Sequence, residues 1–301
     1  MRVSTSQLYA SNLAGINRQN VELARVQKQL ATGNKIESPS DDPAAATRIV
    51  DLNRMIDRNA QFKTNGDFAF NRLDQSETVL DGVDAAVGRI QGLVFSRLGQ
   101  EASSRPQLAS QLRDELSIIT DLANTRDGNG DYLYAGHDVN TKPFDDSGAN
   151  VTYTGDAGQR SIQIAADRRV ADGNSGEEIF ENISGGRSLF KMVEDFVAVL
   201  ENPASTATDI QTAKGVITPD LALAKDNLTL VRNSMTSRMG MINSEQEISK
   251  QMNQILIDQR SKLNDVNFAE VAMKLNQLQT SLQAAQQSFV KTQELSLFNF
   301  I

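Results

Sequence analysis

The sequence predicts a mainly α protein with a small β-rich insertion, its N- and C-terminal segments forming long helices that pair antiparallel as a coiled coil or bundle. Three observations predict it. Phe268, Val271, Leu275, Leu278, Leu282, Ala285 and Phe289 recur at alternating spacings of three and four, which draws one apolar seam along a helix. Tyr9, Ile16, Leu23 and Leu30 lie seven residues apart, with Val26 three after Leu23, a second seam at the other end of the chain. Between them, around residues 131–165, the period changes to short alternating runs bounded by turn residues. Burying one large apolar side chain gains roughly 1.5–3 kcal/mol, so each seam requires a partner, and each end of the chain offers one to the other.

Taken in order, the first helix is expected to stop at Thr32-Gly33, with glycine in the C′ position. Asp42-Pro43 reads as an N-cap followed by proline at N1. Ile49, Leu52 and Ile56, then Leu73, Leu80, Val87 and Val94, carry helical spacing to about residue 98, although Gly66, Gly82, Gly88 and Gly92 weaken the case for one unbroken rod. Pro106 opens a third helix with Leu108, Leu112, Leu116 and Ile119 on one face, ending by Asp127-Gly128. Residues 131–136, 151–155 and 161–165 read as strands. Leu189, Met192, Val193, Phe196 and Leu200 return to helical spacing and stop at Asn202-Pro203. Residues 204–216 read as a hinge or loop, and Thr218-Pro219 as the start of the longest helix. Its seam runs from Leu221 to Leu263 and holds its frame through polar Arg238, Glu245, Ser249 and Gln259. A shift of frame near Asn264 and Asp265 separates it from the terminal helix, for which Asn267 and Glu270 supply an N-cap and its N3 partner. The expected organisation is 1–42 with 264–301 as terminal helices, 43–135 with 187–263 as a helical rod, and 136–186 as a small β-rich domain.

Composition narrows the function. The chain has 301 residues and a formal charge of −8, which argues against nucleic acid and anionic membrane as partners. Residues 127–186 hold eleven acids and four bases, so most of the negative charge lies there, and the acidic segment 136–186 is expected to face solvent. With no cysteine, neither a disulfide framework nor a thiolate metal site is available. No run of apolar residues is long enough for a membrane span, and residues 1–15 have no long apolar core, so no membrane insertion and no cleaved signal peptide are expected.

Candidate sites reduce to turns on inspection. Asp127-Gly128-Asn129-Gly130-Asp131 opens like a calcium loop, but Tyr132 stands where such a loop needs glycine and Asp138 where it prefers glutamate. A turn leading into a strand explains it better. His137 is the sole histidine and has no second histidine or cysteine to ligate with. The glycines at 155, 158, 185 and 186 form no phosphate-binding pattern. We therefore expect no catalytic residue, no metal site and no cofactor, and no enzyme activity.

Gln29-Leu30-Ala31-Thr32-Gly33 running into Ser40-Asp41-Asp42-Pro43-Ala44-Ala45 resembles the N-terminal signature of the flagellin superfamily, as does Tyr132-Leu133-Tyr134-Ala135-Gly136. Val231-Arg232-Asn233-Ser234-Met235 resembles its Val-Arg segment, with Thr236 where glycine is common. Pro43, the small middle domain and the ending Leu295-Ser296-Leu297-Phe298-Asn299-Phe300-Ile301 resemble the members that join hook to filament more than those that build the filament. The resemblance implies a flagellin-like fold in a bacterial protein exported through the flagellar type III channel with no signal cleaved, located outside the cell at the hook–filament junction. It implies a ring of identical subunits in the axial structure, another junction protein below, flagellin above, and an export chaperone at the C-terminal end before assembly. A two-helix arm cannot cover its own apolar surface. The subunit interface is therefore expected at Ile16, Leu23, Val26 and Leu30 of the first helix and at Val271, Leu275, Leu278, Leu282 and Phe289 of the last. A filament-forming flagellin and a cytosolic coiled-coil adaptor are the alternatives.

Overall fold

The computed structural model describes residues 5–96, 102–148, 150–183 and 186–297, and among these six α-helices carry the fold. They are α1 (Thr5–Thr32), α2 (Pro43–Phe95), α3 (Arg105–Ala123), α4 (Leu189–Glu201), α5 (Ala207–Asn264) and α6 (Phe268–Leu297). Between α3 and α4 lie two antiparallel hairpins, β1 (Phe144–Asp145) with β2 (Thr152–Tyr153) and β3 (Ser161–Gln163) with β4 (Arg169–Ala171), followed by a π-helical turn at Glu177–Glu181. The fold class is thus the expected one: mainly helical, with a small β insertion. The chain groups into two compact units, Met1–Arg58 with Gln251–Ile301, and Asn59–Lys250.

The helix boundaries follow from local chemistry. Gly33 ends α1 with φ +72°, a left-handed conformation open to glycine, while its N–H bonds the Gln29 carbonyl at 2.9 Å. Asp42 caps α2 by accepting from the Ala45 N–H at 3.0 Å, and Pro43 opens the helix. Helix α2 continues through its glycines, and at two of them a neighbouring side chain uses the space. A Cβ on Gly66 would lie 2.9 Å from Gln246 Nε2, and one on Gly82 would lie 3.2 Å from Leu122 Cδ1.

In the Asn59–Lys250 unit one core gathers apolar faces from every element. Leu73, Leu80, Val87 and Ile90 of α2, Leu108, Leu112 and Ile119 of α3, Phe190 and Val193 of α4, and Leu221, Leu228 and Met235 of α5 are all buried in it. The β-rich segment belongs to the same core. Phe144, Phe180 and Phe190 pack in edge-on and tilted arrangements with ring centroids 5.0–5.8 Å apart, and Tyr134 meets Phe180 edge-on at 5.8 Å. Polar pairs fix α2 antiparallel to α5 within this unit: Asp67 with Gln246 (2.9 Å), Glu77 with Arg232 (2.6 Å) and Asp84 with Lys225 (3.4 Å). Charge follows the expectation for the acidic segment with one exception. Asp138, Asp146, Asp167 and Glu178 are exposed, but Asp172 is buried and bound to Arg160 at 2.7 Å.

Two sequence expectations need correction, at the start of α5 and at residues 131–136. Residues 204–216 are not a hinge: α5 begins at Ala207 and runs through Pro219. Thr206 and Asp209 form a reciprocal cap, with Asp209 N–H to Thr206 Oγ1 at 3.2 Å and Thr206 N–H to Asp209 Oδ2 at 2.7 Å. The proline's missing bond would fall on Gly215, and buried Ile210 and Ile217 hold the turns on either side. Residues 131–136 form no strand beyond an isolated bridge from Arg126 to Tyr132, because their N–H groups bond loop carbonyls instead, Tyr132 to Val139 (2.9 Å) and Leu133 to Thr125 (3.0 Å). Helix α3 stops at Ala123, where the Asn124 side chain turns to bond both the N–H and the carbonyl of Phe144 at 3.0 Å. Helix α2 ends at Phe95, while residue 98, its expected end, lies outside the described residues.

Candidate assembly surface

The two predicted seams meet in one chain. Helices α1 and α6 run antiparallel, with Tyr9 against Phe289 at 5.1 Å between ring centroids, Gln19 Nε2 donating to Ser281 Oγ at 3.0 Å, and Lys274 Nζ donating to Glu22 Oε1 at 2.7 Å. Val26 is fully buried. Ile16, Leu23 and Leu30 on α1 and Val271, Leu275, Leu278, Leu282 and Phe289 on α6 are each half-buried.

The flagellin-like signature around Gly33 and Asp42 builds the turn that holds this pair. Lys35 N–H bonds the Asn264 carbonyl at 2.5 Å, Val266 N–H bonds the Gly33 carbonyl at 3.1 Å, and Asn264 Nδ2 bonds Asn34 Oδ1 at 2.7 Å. The loop after α1 is thereby tied to the loop before α6. Asp41 accepts the N–H groups of Ser38 (2.9 Å) and Glu37 (3.1 Å), and these bonds hold its carboxyl below the usual range. Glu37 pairs with Lys28 and accepts from Thr32 Oγ1 at 2.8 Å, which lowers its pKa in the same order of cause. Glu22 is lowered first by its bond to Lys274. Nearby in the same unit, Arg260 Nη1 reaches Asn53 Oδ1 at 3.2 Å, beside buried Leu52 and Leu256.

Pairing leaves apolar side chains facing outward, most of them not singled out by the sequence reading; Met252, expected on the seam of α5, is among them at 48 % exposed. Val21 is 71 % exposed, Met273 67 % and Val290 52 %, with Leu13, Val50, Met252 and Ile255 also exposed in this unit. Val21 and Met273 fall far around their helices from the seam, so the seam's own period hides them. Their signal in the sequence is an apolar residue out of phase on an otherwise polar face.

The other motifs are structural. Asp127 Oδ1 accepts the N–H groups of Asn129 (2.8 Å) and Asp131 (3.1 Å), and Oδ2 pairs with buried Arg72, which also donates to the Tyr132 carbonyl at 2.8 Å. That carboxylate is committed to a turn and an ion pair. Among the described residues no group of His, Asp and Glu is arranged to hold a metal ion. His137 donates its backbone N–H to Asp156 at 3.0 Å, in a loop. In the Val-Arg segment, Val231 and Met235 are buried, while Arg232 binds Glu77 and Asp81. Arg238, polar within the seam, donates to the carbonyls of Ala171 and Gly173 at 3.2 Å and to Asn174 Oδ1, so it joins α5 to the strand segment.

Comparison with known proteins agrees with this architecture. Residues 3–138, spanning α1 to α3, match the family model of the bacterial flagellin N-terminal helical region. Flagellar hook-associated protein 3 of Escherichia coli strain K12 is 29% identical over 315 residues, covering 99% of this chain and 99% of the relative. The crystal structure of FlgL from Xanthomonas campestris superposes with a TM-score of 0.62 at 19% identity, covering 70% of this chain and 99% of that one. The flagellar junction protein FlgL from Legionella pneumophila gives 0.56 at 15% identity, over 64% and 98% of the two chains. No helix among the described residues is long and apolar enough to cross a membrane. The chain is thus similar along its whole length to flagellar hook-associated protein 3 of Escherichia coli.

Proposed function

We propose that this chain is a structural subunit of the bacterial flagellum that forms the junction between hook and filament, on which flagellin polymerises. The observation that carries the reading is the set of exposed apolar side chains left on the terminal helix pair, Leu13, Val21, Met273 and Val290, in a chain similar end to end to flagellar hook-associated protein 3. Residues 1–42 and 264–301 act as the assembly domain, 43–135 and 187–263 as a helical rod, and 136–186 as an outer domain. Identical subunits form a ring in the axial structure. Its neighbours are the other junction protein and flagellin, and an export chaperone binds the subunit before secretion without signal cleavage. The half-buried seam of Ile16, Leu23, Leu30, Leu275, Leu278 and Leu282 closes further against neighbouring copies. The chain carries no catalytic role.

A strain lacking the gene tests this. Flagellin is expected free in the medium and hooks without filaments, with filaments restored by the wild-type gene. Normal filaments in the deleted strain would remove the junction role. Long filaments built by the purified chain alone would favour a filament subunit.

A further inference from the structure

The chain contains no cysteine and no tryptophan, so its methionine thioethers are the side chains most open to two-electron oxidation. The described methionines differ widely in exposure. In the Asn59–Lys250 unit Met235 and Met192 are 0 % and 1 % exposed in the core while Met241 is 40 % exposed, and in the other unit Met273, Met252 and Met55 are 67 %, 48 % and 37 % exposed. These three share that unit's surface with apolar neighbours: Ile255 lies one turn beyond Met252 on α5, and Val50 and Phe268 are exposed as well. A packed apolar contact is where gaining a polar oxygen matters most.

We propose that Met55, Met252 and Met273 are sites of reversible oxidation to methionine sulfoxide in the unassembled subunit, and that this modification makes assembly sensitive to peroxide. The inference rests on the reading of the terminal unit as an assembly surface. In the step, a sulfur lone pair attacks one oxygen of hydrogen peroxide. The O–O bond breaks, the S–O bond forms, and the departing hydroxide takes the remaining proton to leave as water. Sulfur is oxidised by two electrons and the peroxide is reduced. Reversal consumes two thiols, which become a disulfide as the oxygen leaves as water, the chemistry of a thiol-dependent sulfoxide reductase. The product is a polar, chiral side chain that no longer fits an apolar contact. Docking would cover the same sulfurs, so an assembled subunit is protected and a free one is not.

The test uses the purified full-length chain and dilute hydrogen peroxide. Peptide mapping by mass spectrometry should show Met55, Met252 and Met273 converting at least about tenfold faster than Met192 and Met235. Quenched protein is then supplied to cells lacking the gene, and its retention on sheared appendages is measured. Peroxide treatment should lower retention about tenfold, and incubation with a sulfoxide reductase should restore it. In the M55L/M252L/M273L variant, and more weakly in M273L alone, the ratio of treated to untreated retention should move towards one. In isolated appendages the three sulfurs should convert more slowly than in the free chain. Complete conversion with unchanged retention, or equal rates in free and assembled protein, would overturn the proposal while leaving the assembly role intact. Failure of the untreated chain to be retained would instead remove the assembly reading and this inference with it.

Discussion

At the scale of single residues, polar groups in this chain earn their positions by closing backbone that the helices leave open. Arg72 is the strongest case. It is 5 % exposed, pairs with Asp127, itself 6 % exposed, and donates to the Tyr132 carbonyl. Asp127 in turn holds the 127–131 turn by accepting two backbone N–H groups. Removing one partner of a buried pair leaves the other uncompensated, which costs about 3–5 kcal/mol. Arg72→Ala is therefore expected to lower the stability of the Asn59–Lys250 unit by about that amount, read by chemical denaturation. Tyr134, whose hydroxyl donates to the Ser76 carbonyl at 3.1 Å in the same region, should lose its buried environment with it. Tyr153, pushed up to about 12 first by burial, is a second reporter of that packing.

At the scale of elements, much of the fold was legible because helical caps and seams are local. Gly33 after Thr32, Asp42 before Pro43 and the frame shift at Asn264 each mark a real boundary. The start of α5 was equally local but was masked by Pro219, which reads as a first-turn residue although the helix already runs through it. The capping pair Thr206 and Asp209 is the signal that identifies the true start. Thr206→Ala should destabilise the first turns by about 1 kcal/mol and speed amide exchange over residues 207–215, with little change in the rest of α5. What could not be read locally is Arg238, whose partners at Ala171, Gly173 and Asn174 come from a distant strand segment. The same holds for 131–136, where alternating residues satisfy their N–H groups in loops.

The α1–α6 pair also has a pH dependence that belongs to the element. Glu22, Glu37 and Asp41 are all held below their ordinary values, Glu22 by Lys274, Glu37 by Lys28 and Asp41 by backbone N–H groups. A carboxyl lowered in the folded state contributes stability that is present above its unfolded value and is lost as pH falls through the folded one. Amide protection in α1 and α6 should therefore decline on acidification from neutral pH to below the ordinary carboxylate range. Lys274→Met should weaken protection at pH 7 and converge with the wild type once Glu22 is protonated. Equal differences at both pH values would show that the Glu22–Lys274 contact is not what titrates.

At the scale of the whole molecule, the sequence indicated which helices carry seams but not which of their faces stays uncovered. A seam is visible as a period. An exposed face becomes visible only once the pairing partner is known, and here the chain itself supplies that partner. Leu278 and Leu282 are half-buried against α1, so their truncation disturbs the pair as well as any neighbour. Val21 and Val290 separate the two effects, being 71 % and 52 % exposed on the terminal helices. The most direct measurement is thus the Val21→Asp, Val290→Asp double variant, followed by thermal unfolding of the purified chain and by its retention on the flagellum. Exposed substitutions of this kind change stability by only about 0.5 kcal/mol each, so unfolding should stay near that of the wild type while retention is lost and flagellin escapes unpolymerised. Normal filaments from the double variant would contradict assembly through these exposed side chains, and a large loss of stability would show that they serve the fold of the single chain.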